Sequence, residues 1–493
     1  MDSPFKEHDN FGGGFVDDDD RVALSALRFA SPSSAGSGGC VIDYEEETIG
    51  DPTASEEFII HTPTDNGNNE SSSAVTSKSN ALQQQQQTTT NGTAAFKSKT
   101  ISDRLCVPLP PWAMRAGPRE TIYFNPAETR IAIVTCGGLC PGLNDVVQGL
   151  VGKSEDYGVP EGNILGIRFG FKGFYDRTHK PITLTKRSVE GIHLEGGTIL
   201  GTSRGGADLK KIVKQIDLWG IDILFVVGGN GGNAGAASIQ AELDKAGIVC
   251  SVVGVPKSID NDILLIDKCF GFDTAVEEAQ RALISAKVEA SSAYRGVGLV
   301  KLMGRSSGFI ALNASLSSGV VDGCLIPEVP FSLKGDRGLF KYLEKVLAER
   351  GHAVICIAEG AGQDLINDGP KNNNNGAEAE TDASGNPILK DVGTWLRGQI
   401  KKNVHDVDLK YIDPSYLIRS IPTTSNDRIY CKILAHNAVH AAFSGFTGVV
   451  VGLVNTHYVL LPIPVVIQQP RRVDPSGKQW NRLRASIGQP SLI

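Results

Sequence analysis

Three short apolar runs in this chain, Ile131–Thr135, Ile221–Val227 and Ile248–Val255, each lead straight into a glycine-rich or acidic turn. Apolar residues on consecutive positions, rather than alternate ones, mark strands buried on both faces of a parallel sheet. After the first two turns the spacing of apolar residues becomes helical, which makes the unit α/β. Open α/β sheets bind their ligands at the carboxyl ends of their strands. The turns are therefore where function is to be sought.

The turn after Val255 reads Pro256-Lys257-Ser258-Ile259-Asp260-Asn261-Asp262. It sets two carboxylates two positions apart, able to face different ligands: one a reacting hydroxyl, the other a metal or its water. An isolated Ser-Ile-Asp-Asn-Asp reads as a solvated turn, because Asp and Asn favour turns for local reasons. Its neighbours change that reading. Gly-Gly-Leu-Cys-Pro-Gly (137–142) opens a helix, where outward N–H groups and the helix dipole favour an anion. Gly196–Gly206 (GGTILGTSRGG) adds an arginine, and Gly228–Asn233 (GGNGGN) follows the second apolar run. None is a P-loop or a dinucleotide fingerprint. Four such segments, read as strand ends of one unit, point to a phosphate-rich ligand.

A second alternation of helix and strand follows. A helix spans about 273–290, Val297–Leu302 is a strand ending in Met303-Gly304-Arg305, and a helix covers about 307–316. Another strand leads to Pro327-Glu328, and a helix over 335–350 is closed by Gly351. Ala353–Ala358 delivers Glu359-Gly360. Residues 364–391 read as an exposed polar loop, and 411–419 (YIDPSYLIR) precede a helix to about 443 and a strand Val449–Val454. The final forty residues carry no functional signal.

Charge is unevenly spread. Residues 1–100 hold 16 acidic against 6 basic side chains, a balance of −10; the whole chain stands at −7, leaving +3 on the rest. That first stretch, with Asp17–Asp20 and Gln83–Gln87, is low in complexity and reads as a disordered acidic extension. It has neither the basic start and apolar core of a signal peptide nor the basic, acid-poor character of a transit peptide. The expected compartment is the cytoplasm, with the chloroplast as the alternative. A near-neutral body argues against nucleic acid, and no apolar run of 18 residues argues for a membrane. Nine cysteines without CxxC pairs read as buried reduced thiols; Cys136 and Cys140, flanking a Gly-Gly turn, have a secondary reading as redox-sensitive. His436 and His440, four apart, read as ordinary helix residues.

Taken together, GGLCPG, GGTILGTSRGG, the GGNG segment, PKSIDND, MGRSSG, AEGAGQ and YIDPSYLIR resemble the 6-phosphofructokinase family, most closely its plant ATP-dependent branch, over roughly residues 101–490. The resemblance implies two doubly wound Rossmann-like domains with the active site in the cleft between them. Residues 128–271 with part of 420–455 would bind the nucleotide, and 272–419 with part of 456–490 the sugar phosphate. It implies transfer of a phosphoryl group from ATP, with Mg²⁺, to fructose 6-phosphate, the committed step of glycolysis, in an allosteric enzyme. Asp260 is then the base for the sugar hydroxyl, Ser258 a partner of the moving group, and Arg204 and Arg305 the guanidinium clamp. Gly138, Arg204, Gly205, Gly229, Asn230, Gly231 and Gly232 would cradle ATP, and Asn230 and Asp262 would hold the metal. The sugar phosphate would meet Ser258, Ile259, Asp260, Arg295, Met303, Gly304, Arg305, Glu359 and the run Tyr416-Leu417-Ile418-Arg419. Family counterparts of Arg295 and Arg419 cross from a neighbouring subunit, which implies a homo-oligomer (dimer or tetramer) or a hetero-oligomer with related isoforms.

The donor turns on position 231. Pyrophosphate users tend to carry Asp there, and Gly231 removes that obstacle to ATP; Lys257, common in pyrophosphate users, points the other way. Asn230, Gly232 and Ser258 depart from the usual Asp, Thr or Ser, and Thr, softening the polar surroundings of the donor. Two alternatives follow: a diphosphate-dependent enzyme, or a catalytically weakened regulatory subunit of the same fold.

Overall fold

The structure, a computed structural model, describes residues 113–367 and 388–493. The acidic extension and most of the expected 364–391 loop lie outside those residues; within it, Gln363–Asn367 is a short helix, and Asp391 caps the helix Val392–Asn403 by accepting from Thr394 N–H.

Among the described residues, twelve strands form two sheets. The first holds β1 (Met114–Arg115), β2 (Ile131–Thr135), β3 (Ile164–Ile167), β4 (Ile182–Thr183), β5 (Ile223–Gly228), β6 (Ser251–Pro256), β11 (Val449–Val454) and β12 (His457–Pro462), in the order β1-β12-β11-β6-β5-β2-β3-β4. The second holds β7 (Gly296–Leu302), β8 (Gly323–Leu325), β9 (His352–Ala358) and β10 (Asp408–Ile412), in the order β10-β7-β9-β8. The second sheet is wholly parallel, as is the run β11-β6-β5-β2-β3 of the first. Both are covered on both faces. Ile131 and Ile133 of β2 join one apolar cluster while Ala132 and Val134 join another, and β7 divides likewise, Val297 and Leu299 against Val300 and Leu302. That two-sided burial is why these strands are continuously apolar in sequence.

The first unit begins ahead of the expected residue 128, since β1 pairs with β12. The last segment divides: β12 completes the first sheet, whereas Trp480, Leu483 and Ile487 of the helix Lys478–Ile487 pack in the second unit. The helix Ser425–Phe443 packs with Leu143–Asp156 on the first sheet, Ala435 and Leu434 sharing its core with Val147 and Leu150.

In the first sheet the chain winds outward on one side of β2 through β3 and on the other through β5 and β6, so β2 and β5 flank the point where winding reverses. A crevice opens at the carboxyl ends there. The glycine turn after β2 and the Gly228–Gly232 segment after β5 stand on either side of it, tied by Cys136 N–H to Val227 O at 2.8 Å.

Candidate active site

The turn after β2 and the Gly196–Gly206 segment are laced together. Gly137 N–H donates to Ser203 O (3.0 Å), Thr202 Oγ1 to Gly137 O (2.7 Å) and Thr135 Oγ1 to Gly201 O (2.6 Å). The second segment is not a strand end as expected: it follows a 3₁₀ turn, Ile192–Leu194, and is held by partners far away in sequence. Asn144, 2% exposed, donates to Glu195 O (3.2 Å) and accepts from Ile199 N–H (2.9 Å). Gly196 lies so close to Ser420 that a β-carbon there would overlap the carbonyl oxygen. Arg204 is exposed and is carried to the first turn: a β-carbon on Gly138 would stand 3.8 Å from Arg204 Nη2 and 3.8 Å from Arg419 Nη1. Gly205 holds a φ of 65°, which glycine adopts without strain.

The GGNGGN segment is also not the loop expected. Gly229 is the N-cap of the helix Asn230–Ala246, so Asn230, Gly231 and Gly232 form its first turn, the end that favours anions. Glycine's poor helix propensity hides this in the sequence. A β-carbon on Gly232 would come within 3.4 Å of Cys136 Cβ, so the helix end abuts the first turn.

After β6, Lys257 N–H donates to Gly228 O (2.9 Å). Lys257 is only 6% exposed, and its ammonium lies 3.5 Å from where a β-carbon on Gly137 would be, placing a cation behind the glycine turns. Asn261 adopts a left-handed φ of 57°, tolerable for Asn; its Oδ1 accepts from Cys269 N–H (2.9 Å), burying the amide in the fold. Asp260 and Asp262 thereby leave the turn separately. Asp262 accepts from Ser258 Oγ and from Asn230 Nδ2 (3.2 Å), so the turn is locked to the helix end. Burial pushes its carboxyl up, and the Ser258 hydrogen bond opposes that.

Asp260 faces the second unit. Arg305 N–H reaches its Oδ2 at 3.5 Å, and Ser307 Oγ donates to its carbonyl at 3.2 Å. Its Oδ1 is buried with no hydrogen-bond partner. Burial, with the Asp262 and Glu359 carboxylates nearby, pushes its pKa up to about 7, and Arg305 only partly counters this. A carboxyl titrating near neutrality in a crevice is suited to general-base work.

The second unit supplies the facing wall from adjacent strand ends. Glu359 N–H donates to Leu302 O (2.9 Å) and Gly360 N–H to Gly304 O (3.0 Å), joining the ends of β7 and β9. Glu359 is raised by burial and lowered by Arg305, Lys301 and Arg419, which places it among cations. The Arg419 guanidinium sits 5.0 Å over the Tyr416 ring, and its Nε is buried without a hydrogen-bond partner. It reaches Gly138 of its own chain.

The remaining expected site residues differ in their surroundings. Arg295 pairs with Glu344 at 2.6 Å and donates from Nε to His405 O at 3.2 Å, an ion pair on the flank of the second unit. Met303 and Ile418 are packed in the second core, and Ile259 packs against the cores of both units; Tyr416 and Leu417 are 77% and 74% exposed. Cys136 and Cys140 are buried, and burial pushes the Cys136 thiol up to about 12, which disfavours the reactive thiolate.

Among the described residues no three His, Cys, Asp or Glu side chains form a metal cage. Asn230 Oδ1 and Asp260 Oδ1, however, are buried oxygens lacking partners. Oxygen donors too few to close a shell suit Mg²⁺, which keeps waters and shares its ligands with phosphates.

The chain matches the family model "Phosphofructokinase" over residues 130–442. It is 52% identical over 395 residues to the ATP-dependent 6-phosphofructokinase 5, chloroplastic, of Arabidopsis thaliana, covering 79% of this chain and 72% of that one. It is 42% identical over 378 residues to the ATP-dependent 6-phosphofructokinase of Trypanosoma brucei brucei, covering 75% of each. Among solved structures it is similar in fold to a pyrophosphate-dependent phosphofructokinase from Marinobacter aquaeolei (TM-score 0.60, 17% identity, covering 73% of this chain and 91% of that one). It is also similar to the Pichia pastoris phosphofructokinase in the T-state (TM-score 0.56, 23% identity), where it matches 69% of its own length but spans only 35% of the yeast chain. On a family match over more than half its length, and on relatives this similar across three quarters of it, this chain belongs to the phosphofructokinase family.

Proposed function

We propose that this chain transfers the terminal phosphoryl group of ATP to the 1-hydroxyl of fructose 6-phosphate, as the names of its relatives indicate for them. The observation that carries the reading is Asp260: a carboxylate with one free buried oxygen and a pKa near 7, facing Arg305 across the junction of two units.

Phosphoryl transfer asks the protein for positioning and for charge neutralisation rather than covalent chemistry. Asp260 accepts the hydroxyl proton as the oxygen attacks. Arg204, Arg305 and the Gly138 turn hold the moving group, and Ser258, through its bond to Asp262, orders the turn beneath it. Glycines 205, 229, 231 and 232 let the nucleotide phosphates approach the backbone. Asn230 and Asp262 would hold Mg²⁺ together with those phosphates, and the ion would supply further charge neutralisation there. Met303, Gly304, Glu359 and Arg419 line the sugar-phosphate side, with Tyr416 and Leu417 at its mouth. Arg295, Ile259 and Ile418 act through the frame.

The discriminating experiment is an assay of the purified chain coupled to fructose 1,6-bisphosphate formation, offering ATP and pyrophosphate separately and repeated on Asp260→Asn. Turnover with ATP that collapses in the variant supports the reading; equal activity in the variant refutes it. Turnover with pyrophosphate alone is the second reading, which the buried Lys257 ammonium beside Gly137 favours. No helix among the described residues is long and apolar enough to cross a membrane. Two relatives at 52% and 49% identity are named chloroplastic, which supports a plastid rather than a cytosolic home, checked by imaging a full-length fusion.

A further inference from the structure

The chain passes from the first unit to the second for the last time between the helices Ile463–Val466 and Lys478–Ile487, in a stretch without a functional signal in the sequence. That passage runs behind the catalytic turns. Arg471 N–H donates to Asp262 O at 2.7 Å. The Arg471 guanidinium donates from Nη1 to Ile266 O (3.0 Å) and to Asp267 O (2.7 Å), and lies 4.8 Å over the ring of Phe309 in the second unit. Two residues on, Val473 N–H donates to Glu328 Oε1 at 2.8 Å, and Val473 is buried in the second core. The Glu328 carboxylate also takes Gly308 N–H, at 3.0 and 3.1 Å to its two oxygens, at the end of the turn that carries Arg305.

We propose that Arg471–Val473 and Glu328 form a strap that holds the Asp260–Asp262 turn of one unit in register with the Arg305 turn of the other, making Arg471 and Glu328 positioning residues for the transfer step. The proposal rests on the function given above for Asp260 and Arg305. None of the strap side chains is placed against substrate. They act on the distance between a base and a guanidinium that come from different units, and an error of about 1 Å in such a pair costs up to about a hundredfold in rate. Both anchors are backbone N–H groups meeting fixed acceptors, so the strap has one length. The Arg471 guanidinium adds a planar contact that lysine does not reproduce.

The test uses the full chain with Arg471→Met and Glu328→Ala, and the milder Arg471→Lys and Glu328→Gln, which keep a donor and an acceptor. Hydrogen–deuterium exchange is read on peptides covering 258–267 and 303–308, alongside kcat and both KM values. In Arg471→Met and Glu328→Ala, exchange should rise in both turns together. Their kcat should fall by about tenfold or more, with KM for ATP within about twofold of the parent. Glu328→Gln should recover most of the loss and Arg471→Lys part of it. Folded variants that keep parental exchange in both turns and parental kcat overturn the strap; so does a change confined to KM. A parent chain that turns over neither donor refutes the functional reading instead, and exchange alone then decides whether the two turns are tied.

Discussion

At the scale of single residues, the controlling quantity of the proposed reaction is the protonation of Asp260. A carboxyl pushed up to about 7 accepts a proton only when ionised, so kcat/KM of the free enzyme should rise with pH and level off above about 7. Asp260→Asn should cost about a thousandfold in kcat with the fold retained. The same shift has a stability consequence of definite sign. The folded state holds this proton more tightly than the unfolded state, so the group's stabilising contribution is complete below the ordinary carboxylate range. That contribution is lost as pH rises through about 7. At pH 8 the parent therefore carries a buried charge that Asp260→Asn lacks, and the variant should melt about 2 °C higher by calorimetry, a difference that vanishes near pH 4. Equal melting at both pH values would contradict the burial. Asn230 gives a second test. Its Nδ2 holds Asp262, leaving Oδ1 as the neutral oxygen that would meet the ion in the proposed site, where a carboxylate would add charge. Asn230→Asp should lower the Mg²⁺ concentration for half-maximal rate by about tenfold, measured at fixed ATP; an unchanged requirement would place the ion elsewhere.

At the scale of elements, what could be read in advance was whatever local sequence controls. The buried parallel strands were legible because two-sided burial forces continuous apolar runs, and the Asp260 turn was legible because it ends one of them. Asp260, Asp262, Arg204, Gly138, Arg305 and Glu359 come together where chain winding reverses. What was not legible depends on distant partners. Gly196–Gly206 read as a strand end, but it is a looped segment shaped by Asn144 and by Ser420, the latter more than two hundred residues on. The first turn of the helix Asn230–Ala246 read as loop, since four glycines in seven residues (228–234) argue locally against helix. Arg295 read from its motif as a substrate ligand crossing to a neighbouring subunit; within one chain it pairs with Glu344. The contact at Gly196 yields a prediction for its element. Gly196→Ala must push the donor-side segment away from Ser420, so it should destabilise the fold by about 2 kcal/mol, read by urea melting. It should also raise KM for both substrates, since Arg204 and Arg419 hang from the two segments it separates. A variant with raised KM for ATP alone would show that the two segments move independently.

Across the whole molecule, the two units share their site too closely to behave as separate domains. Ile259, inside the catalytic turn, packs against the cores of both. Asp427, on the helix Ser425–Phe443 of the first unit, is fully buried and accepts from both the N–H and the hydroxyl of Thr274 (2.7 Å each), at the start of the helix Phe272–Ser291 in the second. Losing Thr274 from that contact would strand a buried carboxylate, a penalty that ties the first unit to the second. Unfolding of the second unit therefore removes partners from the first, and calorimetry should show one transition rather than two. Ligands sharpen the test, because on the proposed function ATP would rest mainly on turns of the first unit and the sugar phosphate mainly on the second. At a hundredfold excess over Kd each should add about 2.7 kcal/mol to the whole molecule, shifting the single transition whichever unit it touches. Two transitions, of which ATP moves only one, would show that the units melt independently and that the shared turn does not couple them.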